Sequence, residues 1–138
     1  MKIHHLGIAV SSLDEALKVY QELFPGLVME REPVREGASM EMVMIQTETG
    51  PLLELLQPLK SDGDIGRFIA RRGEGIHHIA YETADIQAAY ARCKEQGYRV
   101  LGEITPGAGG CDTFFIHPKD THGVLTEFVS CAGGAREP

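Results

Sequence analysis

The chain has 138 residues and a mass of 15.1 kDa, which suits one domain or two half-size repeats and excludes a multidomain machine. Apolar residues make up 43% and charged residues 24%, the balance of a folded globular protein rather than a disordered or fibrous one. A formal charge of −7 argues against nucleic acid or an anionic membrane as the main partner, so an anionic ligand would have to be met by local Arg or Lys or by a metal.

In chain order, the first element is a strand through His4-His5-Leu6-Gly7-Ile8, whose apolar run to Val10 is too short for a signal segment or membrane span. Ser12-Leu13-Asp14-Glu15 has the capping-box form, and Leu13, Ala16, Leu17, Tyr20 and Phe24 then recur on one helix face. Two strands are expected over 27–32 and 39–46, followed by the apolar strand Leu52-Leu53-Glu54-Leu55-Leu56. A connecting helix is expected over 64–72, with Asp62 or Asp64 near its start and Arg71 and Arg72 at its end, as the helix dipole prefers.

Beyond it lie a strand through His77-His78-Ile79-Ala80-Tyr81, an N-cap at Asp85, and a helix striped by Ile86, Ala89, Tyr90 and Cys93. Gly97 can supply the left-handed residue that ends this helix. Strands over 98–104 and 112–116 and a last strand through Glu127 complete the chain, with a disordered tail expected over 132–138. Cys93, Cys111 and Cys131 show no paired or short spacing, so neither a disulfide framework nor a thiolate metal cluster is indicated. Their odd number fits a reducing cytosol, and the expected location is cytoplasmic.

A repeat organises these elements. A shift of 73 residues carries His5 onto His78, Ser12 onto Asp85, Leu13 onto Ile86, Ala16 onto Ala89 and Glu54 onto Glu127. The expected fold is α+β: two βαβββ modules pairing into a curved mixed sheet. Residues 1–131 would form one domain, with module 1 over about 1–60, a linker helix over about 62–72 and module 2 over about 74–131.

The repeat also selects the chemistry. If the modules pair about a pseudo-twofold axis, His5, Glu54, His78 and Glu127 converge, and two imidazoles with two carboxylates suit a divalent metal. Glu54 shares its strand face with Leu52 and Leu56, and a buried carboxylate there needs a partner. His4 and His77 alternate to the opposite face and read as structural or surface residues, and His117 and His122 as loop residues. Four protein ligands on a six-coordinate ion would leave two positions open for substrate.

These features resemble the vicinal-oxygen-chelate superfamily over His4 to Ser130. Within it they are most similar to the methylmalonyl-CoA epimerases, through His5-Leu6-Gly7-Ile8-Ala9-Val10, Glu54-Leu55-Leu56-Gln57-Pro58, Gly73-Glu74-Gly75-Ile76-His77-His78, His117-Pro118-Lys119 and Gly123-Val124-Leu125-Thr126-Glu127. The resemblance implies metal ligands at His5, Glu54, His78 and Glu127, a donor set whose chemistry suits zinc, nickel, cobalt, manganese or ferrous iron. It also implies an acyl-CoA substrate, a homodimer, and interconversion of the two epimers of 2-methylmalonyl-CoA through an enolate.

Glu127 and Glu41 are the expected proton-transfer residues, Glu41 because it sits in the otherwise apolar strand Met40-Glu41-Met42-Val43-Met44, the setting in which a carboxyl becomes a useful base. Glyoxalase I, with similar ligands in the same order, is the first alternative. A non-catalytic small-molecule-binding resistance protein of the same fold is the second. Arg67, Arg71, Arg72 and Lys119 are possible partners for coenzyme A phosphates, and none is assigned.

Overall fold

The structure, a computed structural model, describes residues 1–131, so the expected tail over 132–138 lies outside the described residues. Leu6-Gly7-Ile8-Ala9 closes strand β1 (Lys2–Ala9), and Ser12 then caps helix α1 (Leu13–Leu23) by accepting a hydrogen bond from the Glu15 backbone N–H at 3.2 Å. An N-cap of this kind is worth about 1 kcal/mol. Strands β2 (Met29–Arg31), β3 (Met40–Ile45) and β4 (Leu52–Pro58) follow, in the spatial order β2-β3-β4-β1. β1 runs parallel to β4, while β2–β3 and β3–β4 are antiparallel.

Alternation along these strands makes two distinct faces. Val43, Ile45 and Leu55 project toward α1 and form a core with Leu13 and Leu17. Each such large aliphatic side chain contributes roughly 1.5–3 kcal/mol when fully buried. The opposite face carries His5, Gly7, Leu52, Glu54, Met42 and Met44. One end of that face is covered by helix α2 (Asp64–Arg72), whose Ile65 packs with Ala9 and Leu56 beside Met40, Met42 and Phe68.

The second half repeats the plan with strand β5 (Gly75–Glu82), helix α3 (Ile86–Glu95) and strands β6 (Val100–Pro106), β7 (Cys111–Ile116) and β8 (Leu125–Cys131), in the order β5-β8-β7-β6. Asp85 caps α3 by accepting from the Ala88 N–H at 3.0 Å, and Gly97, at φ 86°, turns the chain out of it. α3 packs on Phe114 and Ile116, with Phe114 stacked on Phe128 at 4.8 Å and met edge-on by Tyr90 at 5.3 Å. The chain is thus built of two βαβββ modules, an α+β fold, and its compact units among the described residues are His5–His77 and Met1–His4 with 78–131.

The repeat shows in the hydrogen-bonded ladders. His5 pairs with Leu52 and Gly7 with Glu54 in β1–β4, and His78 pairs with Leu125 and Ala80 with Glu127 in β5–β8. Every one of these positions carries over by 73 residues. In both copies the residue beside the Glu on the parallel neighbouring strand is small, Gly7 or Ala80.

One expectation is corrected here. Cys111 and Cys131 form a disulfide, although their separation of 20 residues gave no sign of it. The antiparallel β7–β8 register sets them directly opposite, with Cα atoms 4.0 Å apart. Spacing along the chain does not report that register. Cys93 is the free cysteine among the described residues.

Candidate functional site

In the unit His5–His77, His5 and Glu54 project from adjacent parallel strands, with His5 Nε2 3.5 Å from Glu54 Oε1. They are only 4% and 5% exposed, so the carboxylate is buried beside the imidazole. An ionised carboxylate in such a place is costly without a partner. Met42 and Met44 extend the same face along β3, and methionine gives an adaptable apolar lining.

The other unit repeats the arrangement with one addition. His78 Nε2 lies 3.1 Å from Glu127 Oε1, both side chains being buried. Thr113, also buried, donates its hydroxyl hydrogen to Glu127 Oε2 from the neighbouring strand β7. The register makes this a diagonal contact, because Phe115 stands directly opposite Glu127 and Thr113 opposite Val129. Phe115 meets the His78 ring edge-on at 5.8 Å. Thr113 was not singled out from the sequence. Its signal was a hydroxyl inside the apolar strand Thr113-Phe114-Phe115-Ile116, readable only with the β7–β8 register known.

Met42 is the position in the first unit equivalent to Thr113: counting from the residue opposite each Glu, Met44 or Phe115, both lie two residues earlier. The two carboxylates therefore differ in their neighbours. One has a hydroxyl donor at this place, the other a thioether.

The donor chemistry fits a divalent cation. Neutral imidazole and carboxylate are ligands for zinc, cobalt, nickel and manganese alike. Two ligands at right angles about an ion with bonds near 2.1 Å sit roughly 3 Å apart, close to the spacing within each pair.

Glu41 is the other residue expected in proton transfer. Its side chain leaves β3 on the α1 side with Val43 and Ile45, opposite to Glu54. There it accepts a 2.7 Å hydrogen bond from Arg31 Nη1, while Arg31 Nη2 donates to Asp14 of α1 at 3.0 Å. The two carboxylates hold the Arg31 guanidinium more firmly protonated than usual, Glu41 foremost. Glu41 thus belongs to a cluster that ties β2 and β3 to α1, on the face of β3 opposite to Glu54. His77 stacks edge-on against Phe68 at 5.0 Å. His117 caps the short turn Pro118–Asp120, its Nδ1 accepting from the Lys119 N–H at 3.0 Å. Among the candidate phosphate partners, Arg67 pairs with Asp64 at 2.8 Å.

The Glyoxalase/Bleomycin resistance protein/Dioxygenase superfamily model matches residues 4–115, and the chain belongs to that superfamily. It is 39% identical to the ethylmalonyl-CoA/methylmalonyl-CoA epimerase of Cereibacter sphaeroides, across 91% of this chain and 95% of that protein. A Streptomyces coelicolor methylmalonyl-CoA epimerase variant in complex with 2-nitronate-propionyl-CoA superposes with a TM-score of 0.85 at 38% identity, covering 96% of this chain and 95% of that one. A methylmalonyl-CoA epimerase in complex with methylmalonyl-CoA and ammonium gives 0.84 at 38% identity, over 95% and 94% of the two chains. Within the superfamily, then, this is an enzyme of the methylmalonyl-CoA epimerase family. No helix among the described residues is long and apolar enough to cross a membrane.

Proposed function

We propose that this enzyme interconverts the (R) and (S) forms of 2-methylmalonyl-CoA by removing and returning the proton at C2. The observation that carries the reading is the buried imidazole–carboxylate pair at the same register in both modules of a chain akin to epimerases over nearly its full length. His5, Glu54, His78 and Glu127 would together hold one divalent cation, with cobalt, zinc, nickel and manganese all compatible. A cation there supplies Lewis-acid stabilisation of the negative charge that develops on the substrate carbonyl oxygens, an effect worth several kcal/mol.

The protein's own groups do the rest. Glu127 is the carboxylate we assign to proton transfer at C2. Thr113 holds its Oε2 and His78 lies against its Oε1, so the carboxylate is aimed before substrate arrives. Such positioned acid–base catalysis typically adds 10²–10⁴-fold. Met42 and Met44 offer an apolar wall on the Glu54 face. Glu41 takes no part. A cytoplasmic homodimer with an acyl-CoA ligand completes this reading, and light scattering at micromolar chain concentration tests the dimer.

The central test is solvent exchange. Incubated in deuterium oxide, the enzyme should place deuterium at C2 of methylmalonyl-CoA, lose that exchange after chelator treatment, and regain it with added cobalt or zinc. Exchange unaffected by complete metal removal would sink the metal reading. Absence of exchange together with turnover of the methylglyoxal–glutathione hemithioacetal would assign the site to a glyoxalase instead, and absence of both to a binding protein.

A further inference from the structure

We propose that His4, Cys111 and Cys131 form a second, redox-gated metal site, closed as a disulfide and able to hold a zinc-like cation once the two sulfurs are reduced. Their ligand atoms all lie within 4.8 Å of one another, and Cys131 Sγ is 3.4 Å from His4 Nε2. Cys111 is buried, while His4 and Cys131 are partly exposed to solvent. The β7–β8 ladder sets the two cysteines directly opposite each other.

The chemistry follows from the ligands. Ions bound by thiolates at about 2.3 Å and imidazole at 2.0–2.1 Å require ligand atoms a little under 4 Å apart in a tetrahedron. The Sγ–Nε2 separation is already near that value. The two sulfurs, bonded in the present state, need only side-chain rotation to part. Reduction consumes a phosphine or dithiol: the S–S bond breaks, each sulfur gains a proton, and the reductant is oxidised. Metal entry then displaces both thiol protons, giving a two-thiolate, one-imidazole site with water in the fourth position. The donor set is softer than that of the His–Glu pairs and selects against manganese.

Cobalt(II) is the probe, because thiolate-to-cobalt charge transfer in the near ultraviolet arises here and is absent from a His/Glu site. Purified enzyme is compared oxidised and after phosphine reduction, with thiols counted to confirm that the disulfide has opened. The reduced protein should bind one more cobalt per chain than the oxidised protein and show the charge-transfer band, and reoxidation should expel that cobalt. Cys93→Ser should keep the band and Cys131→Ser should lose it, with His4→Ala weakening cobalt binding about 10-fold or more. No band in fully reduced protein, or a band that persists in Cys131→Ser and disappears in Cys93→Ser, overturns the proposal. Should Cys131→Ser fail to fold, the oxidised-to-reduced difference in the unaltered protein and the Cys93→Ser result decide.

Discussion

Thr113 donates its hydroxyl to the Glu127 carboxylate diagonally across the β7–β8 ladder, with both side chains buried. A hydrogen bond to a charged group is worth about 1.5–3 kcal/mol, and losing a partner of a metal-ligating residue typically costs 10–100-fold in metal affinity or activity. Thr113→Val should therefore lower metal affinity or the C2 exchange rate within that range while leaving the fold intact. Competition with a chromophoric chelator and the deuterium assay read the two effects separately. Unchanged values in both would show that the hydroxyl does nothing for Glu127.

Glu41→Gln should retain exchange activity to within about two-fold, because the side chain serves the Arg31 cluster on the α1 face. Exposed ion pairs contribute about 0–1 kcal/mol, so the variant should unfold at a slightly lower urea concentration. A hundredfold loss of exchange with metal retained would restore Glu41 to the mechanism.

Gly66 lies in the first turns of α2, where an added Cβ would fall 2.6 Å from the Lys60 carbonyl oxygen and 2.7 Å from that of Ser61. Alanine gains about 1 kcal/mol of helix propensity over glycine, but forced overpacking costs about 1–3 kcal/mol. The clash is with backbone, which cannot rotate away, so Gly66→Ala should be destabilising and should disturb Ile65, the residue that seats α2 on Leu56 and Ala9. Calorimetry checks the sign: a higher Tm would mean that α2 shifts freely.

Asp120 accepts from the Arg99 guanidinium at 2.7 Å and from the Arg99 backbone N–H at 2.7 Å. These bonds lower its carboxyl from an ordinary 3.8 to about 2. A folded-state value below the unfolded one means that the stabilisation is complete above about pH 4 and is lost as the pH falls through about 2. In Asp120→Asn the urea midpoint should depend less steeply on pH in that window than in the unaltered protein. Parallel profiles would remove the Arg99–Asp120 contact from the acid response.

Much of the architecture could be read from the residues because the signals were local and doubled. The caps at Ser12 and Asp85 rest on side chains close in sequence to the backbone they serve, the stop at Gly97 on that residue's own left-handed backbone, and the helix over 64–72 on a local pattern of acidic start and basic end. The approach of His5 to Glu54 and of His78 to Glu127 was legible because one spacing recurred in both halves, and a parallel ladder with the same register forms in each. The face on which Glu41 leaves β3 and the unforeseen Cys111–Cys131 bond share a different cause. Both depend on which residue of one antiparallel strand stands beside which of the next, and a one-residue change of register reverses every side chain. Thr113 was missed for the same reason.

The difference between Met42 and Thr113 has an evolutionary reading. Two identical chains of a single module would present the same side chain twice at this place, and any mutation would fall on both. Two copies within one polypeptide can drift separately, and here one buried carboxylate has a hydroxyl donor at this place while its counterpart has a thioether neighbour. Divergence at one register position is enough to give two otherwise matching carboxylates unequal surroundings.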